Sequence, residues 1–208
     1  MPSRTQVQIV LVIAVIVWAV LLFLEGVTLK PSYLKPFSIT VAVVVLSLLV
    51  FERWLWCIRP VARAFHRPVL QGTWKGQLRS TWKDASMGEQ IEPIDVFLTV
   101  RQTYSAIALR LMTSESVSTS LVASLEAPRD EVATISSTYR NVPRLLVRDR
   151  SSIHHGALML EVTGTPAKLL QGCYWTDRDT KGELVLNAHT KKLCTNFKEA
   201  DVVDWSSA

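Results

Sequence analysis

The chain has 208 residues, 49% of them hydrophobic, with 23 Lys and Arg against 18 Asp and Glu. Its +5 net charge and pI near 9.3 would suit a nucleic-acid binder, but the charge is not spread evenly: 7 basic and 2 acidic residues precede Val69, and 16 of each follow. A groove for polymeric DNA or RNA shows as a basic excess over its own domain, so the balanced C-terminal part excludes that class while still admitting a small anion held by a few local arginines.

Two apolar runs open the chain, Ile9 to Leu24 and Phe37 to Phe51, the second interrupted only by Ser38, Thr40 and Ser47. With Val7 and Trp54 to Ile58 beside them, each approaches the roughly 20 residues that cross a bilayer core of about 30 Å as a helix. The connector Glu25 to Pro36 is too short to fold, so residues 1–68 are expected to form a two-helix transmembrane hairpin with a basic exit segment. Arg4 precedes the first run, and Arg53, Arg59, Arg63 and Arg67 follow the second, whereas the connector holds Lys30 and Lys35 beside Glu25. Positive residues stay on the cytoplasmic side, which predicts both termini and the soluble part inside. The first run is longer than a signal-peptide core and lacks a small-x-small site, so a retained anchor is preferred to a cleaved signal.

Between Arg53 and Pro68, Trp54 and Trp56 suit the headgroup layer, and Pro60 and Pro68 bracket a turn or two of helix. After Pro68 the apolar period becomes two. Leu70, Gly72, Trp74, Gly76 and Leu78 share one parity. Ile94 to Val100, Ile107 to Leu111, Val117 to Leu125, Ala133 to Arg140, Leu158 to Val162, Leu169 to Thr176 and Gly182 to His189 complete eight strands. Asp177 to Gly182 reads as a polar turn in which Gly supplies a positive φ. Ser116, Ser118, Ser120 and Ser124 alternate with apolar residues. If they face inward the lumen is polar; the outward, surface reading is preferred. The stretch from Lys191 is a ninth extended piece or a tail. Eight short strands joined by turns predict residues 69–208 to be an all-β domain, an eight-stranded antiparallel barrel of lipocalin-like form. Closure removes exposed edges, and eight strands leave room for side chains or one small ligand.

Nothing nominates an enzyme. His154-His155-Gly156 has no ligand at metal-site spacing, and GxSxG, HExxH and a P-loop are missing from the sequence. Gly72-Thr73-Trp74-Lys75-Gly76 has strand parity and no helix behind it. Neither a metal nor a cofactor is expected. Cys57, Cys173 and Cys194, odd in number and without CxxC spacing, read as free thiols of a reducing compartment. Trp74 between two glycines suggests an indole lying flat to plug a barrel end, as the Gly-x-Trp of lipocalin-like barrels does. In Gly172-Cys173-Tyr174-Trp175-Thr176-Asp177-Arg178, Tyr174 and Trp175 face opposite sides of one strand. This is a stiff hairpin, or a base-stacking ring with a phosphate-binding Arg178 close by. The candidate nucleotide-binding residues are Arg110, Tyr139, Arg140, Trp175 and Arg178.

The two spans, the opening Leu70-Gln71-Gly72-Thr73-Trp74-Lys75-Gly76, and the late Gly172 to Arg178 motif with Thr180 and Gly182 resemble the two-transmembrane, β-strand-rich effectors of bacterial CBASS antiphage systems, over nearly the whole chain. The resemblance implies a β-barrel receptor for a cyclic dinucleotide made by a partner CD-NTase. Binding would drive homo-oligomerisation, and the helices would then disrupt the bacterial inner membrane in an abortive infection. Neither apolar run holds an ionisable residue, which fits bilayer disruption better than a selective channel. A membrane-tethered lipocalin-like carrier of lipid or haem, and a scaffold whose barrel binds only protein, are the alternatives.

Overall fold

The computed structural model describes residues 12, 15–20, 22–24, 31–82, 92–128 and 132–205, without the side chains of 31–40 and 59. Arg4, much of the first apolar run and the connector from Glu25 to Lys30 lie outside the described residues. The chain divides into two compact units, Met1–Leu55 and Trp56–Ala208.

In the first unit, residues 15–20 and 22–24 are helical, and helix α1 runs Pro31–Arg53. Val43, Val44, Leu46, Leu48 and Leu49 are exposed along it. Among the described residues, no helix is long and apolar enough to cross a membrane.

A 3-10 turn, Leu55–Cys57, spans the boundary of the two units, and a short helix α2, Arg59–Ala64, with proline in its first turn, follows. Trp54 is exposed, but Trp56, expected at a headgroup layer, is buried to 2% exposure. The chain then turns through His66 at φ 52 and is fastened to the barrel by Gln102, whose Nε2 donates to Pro68 O at 2.9 Å and whose Oε1 accepts from Leu70 N at 2.7 Å.

Eight strands follow: β1 Gly72–Ser80, β2 Ile94–Gln102, β3 Ile107–Met112, β4 Ser116–Glu126, β5 Ala133–Pro143, β6 His154–Thr163, β7 Leu169–Thr176 and β8 Lys181–Thr190. Each pairs antiparallel with the next, and β1 pairs with β8, closing the barrel. Each strand buries one face in a common core, which gives the period-two pattern of the sequence, with β4 departing from it at a bulge.

One end of the barrel is solid. Leu70, Trp74, Val100, Ile135, Leu160 and Leu170 fill it. The Trp74 indole is fully buried, donates to Leu70 O at 3.0 Å and lies 4.4 Å from the His189 ring. It plugs the end as its spacing suggests. The flanking glycines serve another purpose, because a Cβ at Gly72 or Gly76 would collide with the backbone of β8, not with the indole.

Residues 191–205 are neither a ninth strand nor a free tail. They form a strap on the outer face of β1 to β3. Thr73 Oγ1 donates to Lys192 O at 2.7 Å and accepts from Cys194 N at 3.0 Å, while Thr99 Oγ1 donates to Cys194 O at 2.7 Å. Helix α3, Phe197–Asp201, begins at Asn196, whose side chain accepts from Glu199 N at 2.9 Å. The Glu199 carboxylate accepts from Thr195 N at 2.8 Å in return, a reciprocal cap. Phe197 and Trp205 pack on Phe97, ring centroids 5.1 and 5.7 Å apart. The strap is why Thr73, Phe97, Thr99 and Met112 are buried although they point away from the lumen.

Candidate ligand cavity at the barrel mouth

The other end of the barrel is open. It is ringed by the C-terminal ends of β1, β3, β5 and β7 and the N-terminal ends of their partners. It holds a cavity of about 470 Å³, within the ~300–1,000 Å³ of small-molecule sites. Its floor is apolar, with Leu98, Leu109 and Leu158 among its residues, and its rim carries Glu115, Arg150, His154 and Arg178.

The β4–β5 wall is polar because β4 changes parity. A bulge between Ser120 and Val122 inserts one residue, so Ser116, Ser118 and Ser120 line the cavity while Leu125 joins the core deeper down. The preferred outward reading is therefore corrected for these three serines. Ser124 alone is on the surface, and the bulge leaves Leu121 and Val122 exposed. Asn141 Nδ2 donates to Ser116 Oγ at 3.1 Å and Ser118 Oγ at 2.8 Å, and Ser120 Oγ accepts from Leu109 N at 2.9 Å. Ser118 and Ser120 accept within the wall and retain a proton to donate, while Ser116 Oγ also shares a hydrogen bond with Thr113 Oγ1 at 3.2 Å.

Two tyrosines stand on the inner wall, each laid over a glycine of the next strand. Tyr139 is paired with Gly156 and Tyr174 with Gly182. A Cβ on Gly156 would lie 2.5 Å from Tyr139 Oη; one on Gly182 would lie 2.7 Å from Tyr174 Cε1. The missing side chains let both rings lie against the wall, leaving the lumen open. Gly182 thus serves two close approaches, that of the β1 backbone at Arg79 O and that of the Tyr174 ring, and not the turn: the positive φ of the β7–β8 hairpin falls on Asp179, at 58°, a residue type that tolerates it.

Burial raises the phenol pKa of Tyr139, with Tyr174 and Asp177 adding to the rise and Arg178 opposing it. Burial also raises that of Tyr174, against a hydrogen bond from Ser80. Both rings stay neutral O–H donors at physiological pH. Burial lowers the His154 pKa, so that imidazole adds little positive charge. Arg150 is ion-paired to Glu115. Arg178 reaches Ser151 Oγ at 3.5 Å through Nη2, and its Nε is buried with no hydrogen-bond partner among the described residues. The mouth therefore combines apolar faces, two aromatic rings, a row of hydroxyl donors and one guanidinium with a spare donor. That set matches a ligand with flat bases and diester phosphates, and it needs no basic domain.

Of the residues expected from sequence, Tyr139 and Arg178 line this cavity. Arg140 is exposed on the outer face, one residue out of phase with Tyr139. Arg110 is also outside, its Nε donating to Thr195 O at 3.0 Å, which ties it to the strap. Trp175 is outside and 50% exposed, while Tyr174, at 9%, takes the inward position on that strand. Sequence reasoning weighed Ser118 as a lumen residue but preferred the surface for it, and did not single out Asn141 or Arg150. The serine alternation was the signal for the first; the other two had none.

No curated protein matches the chain. Residues 65–188 match the sequence family described as Cap15, cyclic dinucleotide receptor domain. The match takes in β1 to β7 and all but the last two residues of β8, together with every described residue of the cavity, and it stops short of the strap. The chain thus belongs to the Cap15 cyclic dinucleotide receptor domain family.

Proposed function

We propose that this protein is a CBASS antiphage effector whose barrel senses a cyclic dinucleotide in the open mouth. The observation that carries the reading is the pairing of two wall-lying tyrosines with Arg178 and a hydroxyl-lined wall, in a barrel of a cyclic dinucleotide receptor family. The apolar N-terminal runs anchor the protein in the bacterial inner membrane with the barrel in the cytoplasm. Support for anchoring is that Phe37 to Phe51 lies wholly within α1, that α1 exposes Val43, Val44, Leu46, Leu48 and Leu49, and that the sequence flanks the runs with arginines as a cytoplasmic exit requires. A partner CD-NTase makes the ligand, occupied barrels gather into homo-oligomers, and the clustered helices break the bilayer. The domain acts as a receptor, with no catalytic step. The apolar floor would also accept a lipid, but the serine, tyrosine and arginine wall above it favours the polar ligand.

Thermal unfolding of the detergent-solubilised full chain against a panel of cyclic dinucleotides tests the receptor reading. A ligand that binds only the folded state raises the Tm. A rise with fatty acid or haem instead, and none with any cyclic dinucleotide, would favour the carrier. Removing residues 1–60 is expected to abolish toxicity while leaving ligand binding intact; persistence of toxicity would reject the membrane mechanism.

A further inference from the structure

Asn141 lines the cavity from β5 and is buried to 8% exposure. Its amide nitrogen is committed along the wall, to Ser116 Oγ and Ser118 Oγ. Its carbonyl is not: Oδ1 is buried and has no hydrogen-bond partner among the described residues. Folded proteins rarely leave a buried acceptor unpaired, because desolvating it without a partner is costly. Side-chain neighbours do not relieve it. Across the strands Asn141 is in register with Ser118 and His154. Ser118 already receives the Nδ2 proton, and His154 Nδ1 is engaged with Ser152 O at 3.0 Å.

We propose that Asn141 and Ser118 are the base-reading pair of the lumen. Oδ1 accepts an N–H from the Watson–Crick edge of one base. Ser118 Oγ, which accepts from Nδ2 and still carries its own proton, donates to the ring nitrogen or carbonyl beside that N–H. The leucines of the floor cover the faces of the base. This rests on the reading that the mouth holds a cyclic dinucleotide. Each common base offers an N–H next to an acceptor on that edge, so the amide is permissive, and its replacement is not. A carboxylate at this position takes the Ser118 proton on the oxygen that replaces Nδ2, which leaves Oδ1 and Ser118 Oγ as two acceptors and no donor toward the base. It suits guanine, whose N1–H and N2–H₂ stand side by side, and repels uracil, whose single N3–H lies between two carbonyls.

Isothermal titration of the full chain in detergent micelles with cyclic di-GMP, cyclic di-AMP and cyclic di-UMP tests the pair. Asn141→Asp is expected to shift the ratio of Kd values toward the guanine ligand over the uracil ligand by about tenfold or more, the range of one base-edge contact. Asn141→Ala is expected to weaken the tightest ligand by roughly tenfold. Ser118→Ala removes a single oxygen and should do the same with little change in Tm, which keeps the test open if a buried carboxylate at 141 prevents folding. An unchanged Kd ratio in Asn141→Asp, or full affinity in Ser118→Ala, overturns the pair while leaving the receptor reading standing. Failure of the wild-type chain to bind any of the three, or any other cyclic dinucleotide of the thermal-unfolding panel, overturns both.

Discussion

Gly156→Ala isolates the device that keeps the lumen open. The new Cβ would lie 2.5 Å from Tyr139 Oη, 2.6 Å from Cζ and 2.5 Å from Trp175 O. Ordinary contact is ~3.5–4.0 Å, so the ring must lift by about 1 Å, off the wall and into the cavity it borders. Overpacking of this kind costs ~1–3 kcal/mol, and at ~2–4 °C per kcal/mol for a domain of this size the Tm should fall by about 2–12 °C. Ligand affinity should fall as well, because the lifted ring occupies ligand space. Thermal unfolding of a double-mutant cycle separates the ring from the strand backbone, which is equally close. Tyr139→Ala should cost less in the Gly156→Ala background than in the wild type, with a coupling of about 0.5–3 kcal/mol. Additive effects, within ~0.5 kcal/mol, would mean that glycine serves only the β6–β7 backbone approach, and the account of the tyrosines would be wrong.

Arg178→Gln should weaken cyclic dinucleotide binding roughly tenfold or more, since a charge-assisted phosphate contact is lost; Arg140→Gln and Trp175→Ala, on the outer face, should leave the titration curve in place. Phe97→Ala empties the site between Phe197 and Trp205 and should destabilise the barrel by ~3–5 kcal/mol, read by denaturant unfolding, with the strap becoming sensitive to protease first. Burial lowers the pKa of both His154 and His189. Above their unfolded value of about 6.5 they contribute nothing to the pH dependence. As pH falls below it the unfolded chain takes up protons first, so stability should decline toward pH ~5. A double His154→Asn, His189→Asn variant should show a flatter Tm between pH 7 and pH 5, and an unaltered slope would remove histidine burial as the cause.

The number, order and approximate limits of the eight strands are legible in the chain, because a sheet with one buried face imposes a period of two on side chains. The indole plug is legible for the same reason: Trp74 shares the parity of Leu70 and Leu78, and all three are in the core. Alternation is a relative signal, however, and three things escape it. It does not say which parity faces in, so Tyr174, not Trp175, reaches the cavity only once the barrel has closed. An inserted residue reverses it, so the β4 bulge turns three serines inward and sends Leu121 and Val122 out. It also assumes a bare outer face, yet the strap buries Thr73, Phe97 and Thr99 on the outside and recruits Arg110 to hold Thr195. Strand identity is thus a local property of side-chain order. Which groups meet across the lumen is a property of closure, registry and the strap, set by contacts such as Tyr139 with Gly156 and Asn141 with Ser118, between residues 17 and 23 positions apart in the chain.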